Sequence, residues 1–246
     1  MDSKSISINL TLEYFFIIRV TEVTKIHIPD GILNPYACIA LYVLAFGFLA
    51  WAWNGIKKKS PRHILPLIAV VSALLFVIQF VEFPVAGGGS TWHFMGGTSV
   101  SMVLGPFAGI ISMTITLIIQ AAIGDGGITT FGANVFNMAV IGAMSFFIVK
   151  AFLSRGYSTK KLAIGMFVAT FVSNFATALA VGTEIGLFPM VGNLGGILVT
   201  VPSMLMWYVP TGIIEGVVAS ILIVSLARLR GVRLLGLELC KKTNKE

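Results

Sequence analysis

Residues 83–124 read FPVAGGGSTWHFMGGTSVSMVLGPFAGIISMTITLIIQAAIG and contain no Asp, Glu, Lys or Arg. A helix needs about 20 apolar residues to cross a bilayer core of roughly 30 Å, so this run is long enough for two crossings. Glycines interrupt its first half, and irregular backbone at membrane depth is tolerated only where protein or a cavity shields its polar groups. The run therefore indicates a membrane protein with a shielded site near the glycine-rich stretch.

The rest of the chain has the same character. Only 11% of its residues are charged and 57% are hydrophobic, whereas soluble domains carry about 25% charged residues. Its mean hydropathy is +0.94. We therefore predict an all-α, polytopic membrane bundle of seven transmembrane helices, at about 36–55, 62–82, 92–104, 105–122, 132–153, 160–182 and 199–229.

The basic residues predict the orientation of this bundle. With seven crossings, the basic clusters at 57–62, 150–161 and 228–242 fall on one side, which the positive-inside rule makes cytoplasmic. We expect a multi-pass cell-membrane protein with its N-terminus outside and its C-terminus in the cytoplasm. The net charge of +7 thus reflects topology and not a nucleic-acid surface.

Composition and linkers divide the chain into three parts. Residues 1–25 are an N-terminal extension, residues 26–230 are one membrane domain, and residues 231–246 are a basic cytoplasmic tail. The two cysteines, Cys38 and Cys240, are far apart in sequence and indicate no disulfide framework.

Two of the three histidines lie beside loop signals on the predicted outer side. His27 precedes the turn signal Pro29-Asp30-Gly31, and His93 lies in the long uncharged run, where a buried ring needs a polar partner. His63 lies in the basic loop and is interpreted as a solvated residue. Two imidazoles suit a late first-row divalent ion, but two ligands are too few.

Three segments together resemble the CbiM/NikM family: residues 27–31 (HIPDG), 83–97 (FPVAGGGSTWHFMGG) and 124–138 (GDGGITTFGANVFNM). This family comprises the substrate-binding membrane subunits of energy-coupling-factor type cobalt and nickel transporters, with a link to cobalamin biosynthesis. The resemblance covers residues 26 to about 230, and the third segment is its most specific part.

The resemblance implies a metal site and a set of partners. His27 would supply its ring and its amide nitrogen, His93 would supply a second ring, and Ile26 stands where the family has a terminal methionine with a free amine. The transported Co²⁺ or Ni²⁺ is the ligand. The implied partners are a coupling transmembrane subunit, cytoplasmic ATPase subunits and, in many systems, a small accessory membrane subunit.

The sequence departs from the family pattern at two places. Residues 1–25 precede Ile26, so no free amine adjoins His27 in the chain as written. Three explanations are open: translation starts later than residue 1, a protease cuts between Lys25 and Ile26, or an amide or side chain replaces the amine as a ligand. In the last helix, Tyr208 stands where the family commonly has a histidine four residues before a glycine.

Several polar residues near these segments have both a structural and a functional interpretation. Asn134 and Asn137 either orient a ligating ring or cap a helix, while Asp30 and Asp125 support loops. Glu215 is a membrane carboxylate, which is a functional candidate by default, but we interpret it as a helix-packing residue. Gly212 and Gly216, with Ser220, form a small-residue ridge that packs within the bundle or against a partner subunit.

The sequence contains no GxxxxGK[ST] motif, so the chain is not expected to hydrolyse ATP by itself. We predict a transport subunit, not an enzyme, that binds Co²⁺ or Ni²⁺ from outside for ATP-driven import. A stand-alone secondary carrier is the alternative, although no inverted repeats or broken helices are evident. A membrane metalloenzyme is a third class, but the histidines have no convincing catalytic carboxylate.

Overall fold

A computed structural model describes residues 27–57, 61–84, 91–190, 192, 195–229 and 231–242. The expected N-terminal extension and Ile26 lie outside the described residues, as does the side chain of His63. The structure is all-helical apart from one short pair of strands, β1 (Phe83–Pro84) and β2 (Thr91–Trp92), in which Phe83 lies opposite Trp92. The predicted all-α class is thereby confirmed.

The helices follow the uncharged runs of the sequence. In chain order they are α1 (Pro35–Lys57), α2 (Pro61–Gln79), α3 (Gly97–Leu104), α4 (Pro106–Ala122), α5 (Phe131–Leu153), α6 (Thr159–Leu187), α7 (Ile197–Arg228) and α8 (Leu235–Lys242). Within α5, residues Val135–Val140 form a π-helical segment. Within the described ranges, α1, α5, α6 and α7 are long and apolar enough to cross a membrane, and α2 and α4 are shorter.

The uncharged run 83–124 folds into a broken pair of helices. Helix α3 has 8 residues, which is about 12 Å at 1.5 Å per residue and too short to cross a bilayer alone. Gly105 then turns the chain with a φ of 85°, and Pro106 begins α4, which packs against α3. Residues 93–96, predicted to be helical, are instead non-helical backbone that leads into α3.

Glycines allow close approach at two helix contacts that position the site. A Cβ on Gly97 of α3 would lie 2.7 Å from the Cα of Gly142, so α3 and α5 touch through their backbones. On α7, a Cβ on Gly212 would lie 3.0 Å from the Cβ of Asn174, and one on Gly216 would lie 2.9 Å from Phe167. The small-residue ridge of α7 therefore faces α6 inside the bundle.

The segment before α1 lies along the end of α6. Asn34 N donates to Phe188 O at 2.9 Å, and Met190 N donates to Ile32 O at 2.7 Å. Helix α6 continues to Leu187, beyond its predicted end at residue 182. Glu184 is consequently a helical residue, and it is buried.

The C-terminal helix packs on the opposite end of α3. A Cβ on Gly236 of α8 would lie 2.4–2.8 Å from backbone atoms of α3, so the two backbones are in contact. Leu237 and Cys240 of α8 are buried, and burial raises the pKa of the Cys240 thiol to about 11. Both Cys38 and Cys240 are free thiols.

Candidate metal centre

The structure brings the two histidines singled out above into contact. The side chains of His27 and His93 are 3% and 5% exposed, and their ring centroids lie 4.9 Å apart with an interplanar angle of 38°. With metal–nitrogen bonds of about 2.1 Å, two imidazoles on adjacent corners of a square would have centroids roughly 4.5 Å apart. The observed spacing therefore fits two rings that bind one ion from neighbouring positions.

The ring of His93 has one nitrogen beside a backbone acceptor and one available as a ligand. Its Nδ1 lies 3.1 Å from the carbonyl oxygen of Phe94, which fits an Nδ1–H donor and leaves the lone pair on Nε2. Nε2 is buried and has no hydrogen-bond partner among the described residues. Metal-ligating histidines commonly donate their other N–H to such a carbonyl, which fixes the ring orientation.

His27 is positioned through the peptide groups of the next residue, Ile28. The Ile28 N–H donates to Asn134 Oδ1 at 2.8 Å, and the Ile28 oxygen accepts from Asn134 Nδ2 at 3.1 Å. The same oxygen accepts from Thr130 Oγ1 at 2.5 Å and from Gly127 N at 3.0 Å. Asn134 thus pairs with Ile28 as a neighbouring strand would, and α5 holds the segment that carries His27.

Asp30 fixes the turn that follows. Its carboxylate accepts hydrogen bonds from Ile128 N at 3.1 Å, Thr129 N at 2.6 Å and Thr129 Oγ1 at 2.5 Å. Burial acts to raise the pKa of Asp30, but the hydrogen bonds from Thr129 and Ile128 together outweigh it, so the pKa lies below its ordinary value. Asp30 is therefore an anionic anchor for the 126–130 loop at neutral pH.

Glycine is required where that loop meets the His27 segment. Gly126 has a φ of 100°, and a Cβ there would lie 3.5 Å from His27 Nδ1 and 3.3 Å from Asn134 Nδ2. A Cβ on Gly127 would lie 2.5 Å from Asp30 N, which leaves no room for a side chain. Asp125 lies at the start of this loop, where its N–H donates to Gln120 O at 2.9 Å and closes the end of α4.

The π-helical part of α5 places a second asparagine against α6. Asn137 Nδ2 donates to Glu184 Oε2 at 2.7 Å, and the Asn137 carbonyl accepts from Thr177 Oγ1 at 2.8 Å. π-Helical turns inside α-helices often occur at functional sites. The side chain of Asn134 bonds to Ile28 and that of Asn137 to Glu184, so neither amide caps the start of α5, whose N-cap residue is Thr130.

Helices α2 and α7 hold the segment that carries His93. Glu215 Oε2 accepts from Met95 N at 3.1 Å, and Glu215 Oε1 accepts from Gly96 N at 2.7 Å. On the opposite side, Gln79 Nε2 donates to Met95 O at 2.7 Å. Asn174 Nδ2 of α6 donates to Glu215 Oε2 at 3.0 Å. The sequence reasoning missed Gln79 and Asn174, although buried amides in membrane helices are themselves a signal.

The ligand set differs from an ordinary side-chain metal site. The described residues contain no group of three or more His, Cys, Asp or Glu side chains that could hold a metal ion. Two imidazoles are present, so further ligands would be backbone nitrogens or groups outside the described residues. Tyr208, at the position where a family histidine was expected, is 2% exposed on α7.

Comparison with known proteins identifies the family. Residues 27–232 match the family described as the cobalt uptake substrate-specific transmembrane region, CbiM. The chain belongs to the CbiM family. The resemblance drawn from the three sequence segments is thereby confirmed.

Relatives of this CbiM family member include proteins named for both metals. The fused nickel transport protein NikMN of Rhodobacter capsulatus is 36% identical over 167 residues, which cover 67% of this chain and 48% of that protein. The cobalt transport protein CbiM of Lachnoclostridium phytofermentans is 33% identical over 212 residues, 83% of each chain. A crystal structure described as a truncated transition metal transporter has 33% identity and a TM-score of 0.71, covering 82% of this chain and 98% of that one.

Some CbiM relatives are longer than the part that matches. The chain spans 63%, 57% and 48% of the length of three fused nickel transport proteins. These relatives therefore carry additional sequence beyond the shared membrane region.

Proposed function

We propose that this protein is the substrate-specific membrane component of an ATP-driven importer of Co²⁺ or Ni²⁺, and that it binds the metal at His27 and His93. The single observation that carries the proposal is the contact of two buried imidazole rings, 4.9 Å apart, contributed by segments far apart in sequence. Two neighbouring imidazole rings can bind one ion together, and imidazole favours late first-row divalent ions.

The donor set suits nickel or cobalt and disfavours hard cations. His93 Nε2 and the His27 ring are nitrogen donors, and the His27 amide lies next to its ring in the same residue. Nitrogen ligands in one plane suit Ni²⁺ and similar ions, whereas Mg²⁺ and Ca²⁺ prefer oxygen ligands. The proposed substrate is therefore a nitrogen-bound divalent ion that enters as cargo.

The distribution of charge supports binding from outside. Lys57 ends α1, Arg155 lies between α5 and α6, and Arg228 ends α7, and with seven crossings these basic residues would share one end of the bundle. His27 and the 126–130 loop lie at the opposite ends of α1 and α5. We propose seven membrane-inserted helical segments, with the site at the outer face and the C-terminus in the cytoplasm.

The proposed partners supply the energy. The chain contains no phosphate-binding motif for ATP, so cytoplasmic ATPase subunits would hydrolyse ATP and a coupling transmembrane subunit would transmit the change. A small accessory membrane subunit completes the proposed assembly. The chain itself binds and releases metal and catalyses no reaction, with residues 26–230 as the binding domain and 231–246 as its cytoplasmic tail.

One observation favours a second candidate, a stand-alone secondary carrier. Helix α3 is short, and residues 93–96 before it are non-helical, which is the kind of discontinuous helix found at carrier sites. The two candidates differ in their energy source. Uptake that stops when ATP is depleted, in cells whose membrane potential is maintained, supports the importer component, and uptake that continues supports the carrier.

The first test of the site is metal titration of the purified full chain. We expect 1:1 binding of Ni²⁺ and Co²⁺ by the wild type, a loss of at least 100-fold in affinity in His27→Ala and His93→Ala, and no change in His63→Ala. His63→Ala is the matched control because it also removes an imidazole, from the first turn of α2, where the sequence predicted a basic loop. Equal binding by all three variants would show that the metal site lies elsewhere.

The same sample identifies the remaining ligand. N-terminal sequencing and intact mass distinguish a chain that starts at residue 26 from one that retains residues 1–25. A start at residue 26, with tight binding that is lost on acetylation of the amine, supports an amine ligand. An intact residue 1 with tight binding assigns the position to an amide or a side chain.

A further inference from the structure

Glu215 is a carboxylate in the middle of α7 that is only 4% exposed. Its three hydrogen-bond donors come from two other parts of the chain. Gly96 N bonds to Oε1 at 2.7 Å, while Met95 N at 3.1 Å and Asn174 Nδ2 at 3.0 Å bond to Oε2. Two of these donors are backbone groups within three residues of His93, so Glu215 holds the segment that carries this ring.

We infer that Glu215 is a positioning residue of the metal site, which sets the place of His93 by binding the Met95 and Gly96 amides. This inference rests on the proposed function, because it concerns the geometry of the same site. Among the described residues Glu215 belongs to no group of three or more His, Cys, Asp or Glu side chains that could hold a metal, and its two oxygens accept hydrogen bonds from three N–H donors. Its part is to fix the backbone from which the His93 ring projects.

The local structure of α3 explains why the carboxylate comes from another helix. Gly96, the residue before α3, has a φ of 74° and no side chain with which to cap the helix. The N–H groups at a helix start need acceptors, and a negative charge there is favourable. Glu215 accepts from the N–H of Gly96 and from that of Met95 before it, so it satisfies the backbone that enters α3 and places a carboxylate near the start of the helix.

A second helix fixes the other face of the same backbone. Gln79 Nε2 of α2 donates to Met95 O at 2.7 Å, opposite the bond from Met95 N to Glu215. A Cβ on Gly96 would lie 2.5 Å from the side chain of Leu75, so α2 also restricts the backbone sterically. The segment is thus clamped between α2 and α7, with limited freedom to shift His93.

The three hydrogen bonds at residue 215 require a carboxylate. A carboxylate offers two acceptor oxygens and can receive all three bonds, whereas a glutamine amide offers one acceptor oxygen and an NH₂ group that faces N–H donors. Glu215→Gln therefore preserves size but breaks the bonds at one oxygen. Because ligands must be held within about 0.5 Å of their productive positions, a loosened segment is expected to weaken metal binding.

The test compares Glu215→Gln with Ser220→Ala in the full-length protein. Ser220 is a buried polar residue on the same helix whose hydroxyl lies 2.7 Å from Gly216 O and 2.9 Å from Ala163 O, so its replacement controls for the loss of a buried polar group. Two quantities are measured: the affinity for Ni²⁺, with its visible ligand-field spectrum, and the hydrogen-exchange rates of the Met95 and Gly96 amides without metal.

We expect Glu215→Gln to bind Ni²⁺ at least tenfold more weakly, with an altered ligand-field spectrum and at least tenfold faster exchange at both amides. Ser220→Ala is expected to stay within twofold of the wild type in both measurements. If Glu215→Gln does not fold, Asn174→Ala, which removes a single partner of the carboxylate, is expected to weaken binding about threefold and to accelerate the same amides.

Failure of this inference and failure of the proposed function give different results. A wild-type protein that binds neither Ni²⁺ nor Co²⁺ would overturn the proposed function and this inference with it. A wild type that binds tightly, together with a Glu215→Gln protein of unchanged affinity, spectrum and exchange, would overturn the inference alone. Faster exchange confined to Met95 and Gly96, with weaker binding, supports both.

Discussion

Replacing Asn134 by alanine tests whether its side-chain amide, on α5, holds the backbone next to His27 in place. The change removes two hydrogen bonds, at 2.8 Å to Ile28 N and at 3.1 Å to Ile28 O, and leaves the buried Ile28 N–H without that acceptor. A neutral hydrogen bond contributes about 1 kcal/mol net, and a buried unsatisfied donor costs about 1–3 kcal/mol. The Ile28 oxygen keeps its hydrogen bonds from Gly127 and Thr130. We therefore expect the variant to lose about 2–3 kcal/mol of the free energy that holds this segment in place.

This loss acts on the bound conformation of the segment and therefore on metal affinity. At 1.4 kcal/mol per tenfold change, Asn134→Ala should raise the Kd for Ni²⁺ by roughly 30- to 140-fold. Competition with a coloured chelator measures the Kd, and the melting temperature of the metal-free protein reports whether the bundle is intact. A shift in the melting temperature of only a few degrees is expected, because the change affects one segment at the edge of the bundle.

Thr130→Val is the matched control for this experiment. It removes the bond from Thr130 Oγ1 to the Ile28 oxygen and keeps a side chain of similar shape, while Gly127 N and Asn134 Nδ2 still donate to that oxygen. Its loss should be about 1 kcal/mol, or roughly fivefold in Kd. The reasoning is refuted if Asn134→Ala binds within threefold of the wild type, or if both variants weaken binding equally.

Three further predictions follow from contacts around the site. Gly127→Ala would place a Cβ 2.5 Å from Asp30 N, so we expect at least a 100-fold loss of Ni²⁺ affinity by chelator competition. Because the pKa of Asp30 is lowered, the stabilisation that its carboxylate gives the 126–130 loop is fully present above about pH 4 and is lost only as the pH falls through the lower folded-state pKa. Asp30→Asn should therefore weaken Ni²⁺ binding, while the plot of affinity against pH keeps its shape between about pH 5 and 8. Gly97→Val would press on the Gly142 backbone, 2.7 Å from its Cβ, and should lower the melting temperature by more than 5 °C, whereas Gly47→Ala on the open side of α1 should not.

Most of the helices could be predicted because the membrane imposes a simple rule on sequence. Uncharged runs of about 20 residues, bounded by glycine, proline or basic clusters, mark α1, α5, α6 and α7 to within a few residues, except at the end of α6. The predicted end of α6 at residue 182 was wrong: the helix continues to Leu187 and includes Glu184. The buried carboxylate of Glu184 is tolerated within the helix because Asn137 Nδ2 donates a hydrogen bond to it.

The predicted third crossing, residues 92–104, shows where uncharged runs fail to predict the start of a helix. Residues 92–104 are apolar enough to continue as a helix, yet the helix begins at Gly97. Residues 93–96 remain non-helical because Glu215 and Gln79, from two other helices, bind the peptide groups of Met95 that an α-helix would use internally. Contacts between residues 16 and 120 positions apart leave no local pattern in the sequence.

The two histidines of the candidate site could be predicted from the sequence, but most of the residues that hold them in place could not. His27 and His93 were identified by their unusual positions and by the family resemblance, and the structure places their rings in contact. The support from Asn134 was one of two open interpretations, since an asparagine near the start of a helix is as often a cap. The π-helical turn that follows Asn134 has no recognisable sequence signature, so the partner of Asn137 could not be inferred.

Neither histidine lies within a helix, and this arrangement has a physical consequence. Each ring projects from non-helical backbone whose peptide groups are satisfied by side chains of the surrounding helices: Asn134 for the His27 segment, and Glu215 with Gln79 for the His93 segment. Non-helical backbone at membrane depth requires such partners, because no water is present to replace them. The groups that make this backbone tolerable in the bundle are therefore the same groups that set the distance between the two rings, so the stability of the segments and the geometry of the candidate site depend on one set of hydrogen bonds.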